Sequence, residues 1–238
     1  MNQTFLDGKV VVEQPEDGFR SGTDAVLLAA AVPAGAGQSA LELGAGTGAA
    51  SLCLLARVTG LALTGVEVDA ALAARANANA AANRVEARFV VADIFDLPPG
   101  LRRDFDQVFA NPPFHDGGQQ SPDPARARAL SDEGGLGQWL STGLQRTVSG
   151  GFFTAIIRAD RTPEALAALG HRGVHLLPLW PRAGMTAKRA ILLARKGSRA
   201  PFALLPGLVL HEADGRYTDE TDALLRAGAK LAMDEGRL

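Results

Sequence analysis

The sequence predicts an α/β fold, doubly wound around a mostly parallel sheet of seven strands. An antiparallel edge closes the sheet, and a short hairpin-and-helix extension precedes it. Three observations predict this. Strand-like and helix-like segments alternate from residue 39 to about residue 170. The strand segments, SALELG and DFDQVFA among them, are short apolar runs, as expected where helices cover both faces of a parallel sheet. A glycine-rich turn, Gly44-Ala-Gly46-Thr-Gly48, falls where the first such strand meets its helix.

The elements follow in order. Asp7-Gly8 between QTFL and KVVVEQ marks a hairpin. TDAVLLAAAV reads as a helix capped by Thr23 or Asp24 and stopped near Pro33. Then come strand SALELG, helix GAASLCLLARV, strand LALTGVEV, the Ala-rich helix DAALAARANANAAANR, and strands VEARFVVAD and DFDQVFA. LGQWLSTGLQRTV is a helix, GGFFTAIIR a strand, and TPEALAALGH a helix with Pro163 in its first turn. The tail segments GVHLLPLWP, AKRAILLARKG and FALLPGLVLHEADG read as strands without intervening helices, hence an antiparallel edge. YTDETDALLRAGAKL is a last helix capped by Thr218. No repeat or long linker divides the chain, so residues 1–238 are expected to form one domain, with 1–36 as its extension.

Composition narrows the function classes. At 238 residues, 47% hydrophobic and a net charge of −2, the chain has the make-up of a soluble globular protein and not of a non-specific nucleic-acid binder. The single cysteine, Cys53 in ASLCLLA, excludes an internal disulfide and reads as a small buried hydrophobe. MNQTFLDGKV has neither the basic nor the apolar part of a secretion signal, and Pro33 breaks the longest apolar run short of a membrane span. A cytoplasmic protein with no membrane partner is the expectation. His115, His171, His175 and His211 have no metal-ligand spacing.

The glycine-rich turn permits close approach of a ligand to the backbone and leaves helix N–H groups facing it. Gly44, Gly46 and Ala49 satisfy G-x-G-x-x-A, and Glu67, nineteen residues past Gly48, sits at a strand end where a carboxylate takes ribose hydroxyls. Two further carboxylates favour S-adenosylmethionine over a dinucleotide. Glu42, two residues before Gly44, complements a cationic ammonium and is a poor neighbour for a pyrophosphate. Asp93 in VVADIF is placed to accept from an adenine amine, its structural alternative being a turn or helix cap.

After the fourth strand, Asn111-Pro112-Pro113-Phe114 forms a stiff hook: two prolines fix φ twice, remove two N–H donors and leave carbonyls free. An adenine amine is a weak nucleophile, and acceptors that take its two hydrogens stabilise the charge that builds on nitrogen. The Asn111 amide oxygen and the Pro112 carbonyl suit that task, and Phe114 can stack on the base. The long segment HDGGQQSPDPARARALSDEGG follows directly.

ELGAGTG, VEVD, VVADIF and NPPF, in this order and spacing, resemble class I Rossmann-like methyltransferases that modify amino or amide nitrogens. FRSGTDAVLLA and GRYTDE are similar to segments of the bacterial family that methylates N6 of the adenine beside the anticodon of a valine tRNA. The resemblance implies that Gly44, Gly46 and Gly48 line the methionine end of the cofactor, Glu67 the ribose and Asp93 the adenine. It implies that Asn111 to Phe114 hold the target base, and that Arg20, Gly22, Thr23 and Asp24 belong to a segment closing over the cofactor. The family hook often ends in Tyr; Phe114 keeps the ring and loses the hydroxyl. Arg126 and Arg128, and the run Lys188, Arg189, Arg195, Lys196 and Arg199, are the candidate phosphate contacts for an RNA partner, the alternative for each being a solvated charge.

The sequence therefore predicts an N-methyltransferase acting on adenine N6 in RNA, most simply tRNA. Guanine N2 or a protein glutamine amide keeps the chemistry and changes the acceptor, although glutamine-modifying relatives carry an added helical N-terminal domain. A DNA-modifying enzyme would need more residues for target recognition. A non-catalytic S-adenosylmethionine-binding protein or a dehydrogenase leaves the hook without a task.

Overall fold

The computed structural model describes residues 1–16, 20–113 and 135–233. A two-stranded antiparallel sheet, β1 (Asn2–Phe5) and β2 (Val10–Glu13), forms the predicted hairpin. Its turn runs through three residues with positive φ, Leu6, Asp7 and Gly8. Helix α1 (Thr23–Ala31) follows, and its N-cap is Gly22 without a side-chain cap bond, so neither Thr23 nor Asp24 serves as the expected cap.

The main sheet is built from β3 (Ser39–Leu43), β4 (Ala62–Glu67), β5 (Ala87–Val91), β6 (Phe105–Ala110), β7 (Thr147–Arg158), β8 (Val174–Arg182) and β9 (Arg189–Arg195). Their order across the sheet is β5-β4-β3-β6-β7-β9-β8. All run parallel except β9, which is antiparallel to both its neighbours. Two short strands, β10 (Ala203–Leu204) and β11 (Leu208–His211), pair along the outer side of β8. Both lie parallel to β8, so the antiparallel strand is one inserted before the edge and not the edge itself. Pro206-Gly207 splits what reads in the sequence as one continuous strand.

The helices are α2 (Ala49–Arg57), α3 (Ala70–Ala82), α4 (Gly135–Gln145), α5 (Thr162–Leu169) and α6 (Asp219–Asp222), the last continuing as a π-turn over Ala223–Ala227. Asp69 caps α3 through the N–H groups of Ala71 and Leu72, and Thr218 caps α6 through that of Thr221. Side-chain alternation along each central strand feeds two cores. Ala40, Phe109, Ile156 and Ile191 face α1 and α2. Leu41, Leu43, Val108, Ala110 and Phe153 face α4 and α5. Gly143 lets α4 lie directly on β7, since a Cβ there would stand 2.1 Å from the Phe153 ring. Among the described residues no helix is long and apolar enough to cross a membrane.

This topology gathers the carboxyl ends of β3, β4, β5 and β6 at one rim. Adjacent crossovers turn away in opposite directions between β3 and β6, opening a crevice there.

Candidate active site

The glycine-rich turn stands at the centre of that rim. Gly44, Gly46 and Gly48 all have positive φ, 68°, 55° and 82°, so the turn depends on glycine at each. Gly48 is the N-cap of α2 and supplies no side-chain cap, while Ser51 in the first turn gives both its N–H and its hydroxyl to Glu42. On the side where Gly46 lacks a Cβ there is open space. Thr47 Oγ is sealed from solvent without a hydrogen-bond partner among the described residues. The open side of Gly46, the helix N-terminus behind it and the orphan hydroxyl fit the carboxylate and amine end of an amino-acid-bearing cofactor.

Two buried carboxylates hold the turn. Glu67, at the end of β4, accepts from Gly46 N–H at 2.8 Å and from Asp69 N–H at 3.0 Å. Each of its oxygens keeps a lone pair for a diol. Glu42 lies deeper and accepts from the Ser51 hydroxyl of α2. Burial pushes its carboxyl up to about 8, against the opposing effect of the Ser51 hydrogen bonds. At neutral pH it is therefore largely protonated, and a cation beside it would favour loss of that proton. Cys53 is buried nearby, its thiol pushed up to about 12 by burial and then by Glu42, as befits an inert packing residue.

Asp93 is exposed beyond β5, where it accepts from Phe95 N–H at 2.8 Å and so forms a turn. The adjacent ring of Phe95 meets Trp139 of α4 edge-on, with centroids 6.2 Å apart. Trp139 reaches the glycine turn itself: a Cβ on Gly44 would lie 2.6 Å from its Cη2. Neither ring stands out in the sequence reading, because Trp139 sits within an ordinary amphipathic helix pattern. Its only signal is a bulky indole just after the long irregular segment.

The hook begins where β6 ends. Asn111 is half-buried, Pro112 buried and Pro113 half-buried. Asn111 Oδ1 is shut off from solvent with no hydrogen-bond donor among the described residues. Leu43 and Ala110 pair across β3 and β6, so Asn111 and Gly44 emerge from neighbouring strands at the same level. Phe114, Arg126, Arg128 and the segment between them lie outside the described residues.

The N-terminal segment is tied to this rim by amide side chains that imitate a backbone. Asn79 Oδ1 accepts from Glu13 N–H at 2.8 Å while its Nδ2 donates to Glu13 O at 3.1 Å and to Thr47 O at 3.0 Å. Asn83 makes the same paired bonds to Val11, and Gln14 to Ser21. Arg20 turns back onto the carbonyls of Pro15 and Glu16. Asp24 forms an ion pair with Arg189 at 3.0 Å, joining two residues that the sequence reading assigns to different partners.

The predicted basic run divides. Lys188 and Arg189 lie at the rim that carries Asn111, since Arg189 is level with Arg158 at the end of β7. Arg195, Lys196 and Arg199 follow the other end of β9, on the opposite side of the sheet. There Lys196 donates to the carbonyls of Gln145 and Thr147, and Arg195 lies over Phe152. An antiparallel strand seven residues long separates the two groups, which sequence proximity alone conceals.

Residues 16–130 match the family model described as methyltransferase small domain. A protein of Aeromonas hydrophila named tRNA1(Val) (adenine(37)-N6)-methyltransferase is 28% identical over 227 residues, spanning 92% of this chain and 93% of that relative. One of the same name from Serratia proteamaculans is 31% identical over 215 residues, spanning 87% and 82%. Among solved structures, a predicted O-methyltransferase, protein Atu636 of Agrobacterium tumefaciens, is similar with a TM-score of 0.73 at 29% identity, covering 89% of this chain and 99% of that one. The strand order, the glycine turn and the hook agree with these likenesses: the chain belongs to the family of S-adenosylmethionine-dependent methyltransferases whose bacterial members are named tRNA1(Val) (adenine(37)-N6)-methyltransferase.

Proposed function

We propose that this enzyme methylates the exocyclic N6 of an adenine in tRNA, in the cytoplasm, with S-adenosylmethionine as donor. The observation that carries the reading is the buried Oδ1 of Asn111 at the end of β6, which has no donor among the described residues. A sealed acceptor without a donor costs on the order of 1–3 kcal/mol, and an amine N–H entering the hook removes that penalty.

The cofactor supplies an electrophilic methyl group. Glu67 takes the ribose hydroxyls, the glycine turn and the first turn of α2 hold the amino-acid end, and Asp93 accepts from the adenine amine. Asn111 Oδ1 and the Pro112 carbonyl each accept one hydrogen of the target amine, raising the electron density available on nitrogen as the bond forms. Phe114 covers the base, and no strong general base is needed because the proton leaves after transfer. Alignment accounts for much of the rate. Lys188 and Arg189 at the rim, with Arg126 and Arg128 from the segment after the hook, contact phosphates.

The test is transfer of tritiated methyl from S-adenosylmethionine to total tRNA lacking the modification, followed by nucleoside analysis. Label in N6-methyladenosine is the expected result. Label in N2-methylguanosine would keep the hook and change the acceptor, whereas absence of label in RNA would refute the proposed substrate.

A further inference from the structure

Two segments that resemble the family, around Thr23 and around Tyr217, stand near opposite ends of the sequence. The fold brings them together in one cleft of about 490 Å³, within the size range of ligand sites. Thr4 and Asp7 of the hairpin, Thr23 of α1, and Tyr217, Leu225 and Arg226 from the tail line it.

Both walls have unusual backbone. The hairpin wall is the turn with Leu6 at φ 51° and Asp7 at φ 56°, a conformation that a branched, buried leucine adopts only under constraint. The constraint is visible: Leu6 packs where Gly228 lacks a side chain, and Lys9 Nζ donates to Ala227 O at 3.3 Å. The facing wall is the π-turn over Ala223–Ala227, a geometry found often at functional sites. Between them the Tyr217 ring stacks on His211, with centroids 4.9 Å apart and planes inclined by 30°.

The cleft opens on the same rim as the hook. Tyr217 bridges back to His211, which is level with Arg182 at the end of β8. Thr23 precedes Asp24, which holds Arg189 beside the end of β7. From β6 to β11 is four strand spacings, about 19 Å. Exposed Arg182 and Lys188, with no ion-pair partner among the described residues, lie between the two sites. The charges about the cleft balance: Asp7 is acidic, Arg226 is paired with Asp222 at 2.7 Å, and Lys9 Nζ rests on the Ala227 carbonyl. The cleft thus has no net charge to draw a phosphate, and Asp7 can accept from a planar group carrying N–H donors.

We propose that this cleft is a second nucleotide site, in which Tyr217 stacks on an unpaired base of the RNA at a distance from the base held by Asn111. The inference rests on the RNA reading above. Two sites on one rim, joined by cations, would fix the register of a single-stranded loop where one hook alone cannot.

The experiment measures methyl transfer to unmodified tRNA and, separately, S-adenosylmethionine affinity by calorimetry. Tyr217→Ala is expected to raise KM for tRNA about ten-fold, as loss of one base stack does, with cofactor affinity retained and Tyr217→Phe restoring the wild-type value. Thr4→Trp, at an exposed strand position that tolerates an aromatic ring, fills the cleft and should raise KM likewise even if Tyr217→Ala folds poorly. A wild-type KM for tRNA in Thr4→Trp would overturn the second site while leaving the methylation reading intact. A wild-type enzyme that transfers no methyl to tRNA would overturn both.

Discussion

The two halves of the active rim are finished to different degrees. On the proposed cofactor side, at β3 and β4, both carboxylates already have partners: Glu67 holds two backbone N–H groups and Glu42 holds Ser51. On the proposed acceptor side, at β6, the Asn111 oxygen is buried without one among the described residues. Thr47 Oγ on the first side also lacks a partner among the described residues, so the contrast lies in the charged groups. The fold already holds the two carboxylates of the proposed cofactor half, whereas the one amide oxygen of the proposed acceptor half is left for a substrate amine. Binding and catalysis should therefore be separable by mutation.

The largest effect is expected at that amide oxygen. Asn111→Ala should lower kcat by roughly two to three orders of magnitude, as removal of one preorganised transition-state partner does, without weakening S-adenosylmethionine binding. Equal losses in kcat and cofactor affinity would erase the distinction between the halves. Next comes Glu42. Its folded-state value of about 8 lies above the ordinary 4.5, so the folded chain keeps a proton that the unfolded chain releases. The stability this contributes is complete below pH 4.5 and is lost as pH rises toward 8. Denaturant melts of the ligand-free enzyme should show that slope, and Glu42→Gln should flatten it; equal slopes in the two proteins would mean that Glu42 does not titrate in this window.

Glu67→Gln should weaken cofactor affinity by about ten- to a hundred-fold, the range for a lost charge-assisted hydrogen bond, with a smaller effect on tRNA KM. A variant that loses tRNA binding while keeping the cofactor would reverse the assignment of the two sides. The smallest effect compares two lysines near opposite ends of one strand. Lys188→Ala should reduce the salt-dependence slope of tRNA binding by about 1, and Lys196→Ala should leave it unchanged. Equal changes would show that RNA does not distinguish the two edges.

The alternation of elements, the glycine turn, the acidic strand ends and the hook were all legible in the sequence, because each is a local pattern of residue types. What was hidden depends on where the chain returns. The run from Lys188 to Arg199 reads as one patch, but an intervening strand carries its halves to opposite edges. Asp24 and Arg189 are 165 residues apart, so their pairing has no local signature. Trp139 is visible as a helix residue, yet only the close approach of α4 to β7 at Gly143 sets that helix beside the sheet and its indole beside Gly44. The N-cap expectation failed for a local reason: Gly22 takes the cap position, which puts Thr23 and Asp24 inside the first turn.

The paired amides of Asn79 and Asn83 have a consequence outside catalysis. Val11 and Glu13 are the alternate residues of β2 whose backbone groups point away from β1, and both are fully engaged by side chains of a helix. A two-stranded ribbon ordinarily offers such an edge to any passing strand, a route to intermolecular pairing and aggregation. Here a helix with asparagines four residues apart closes the edge without adding a strand. Conversion of either amide to a carboxylate, the usual ageing reaction of asparagine, would remove the donor and reopen the ribbon to its neighbours.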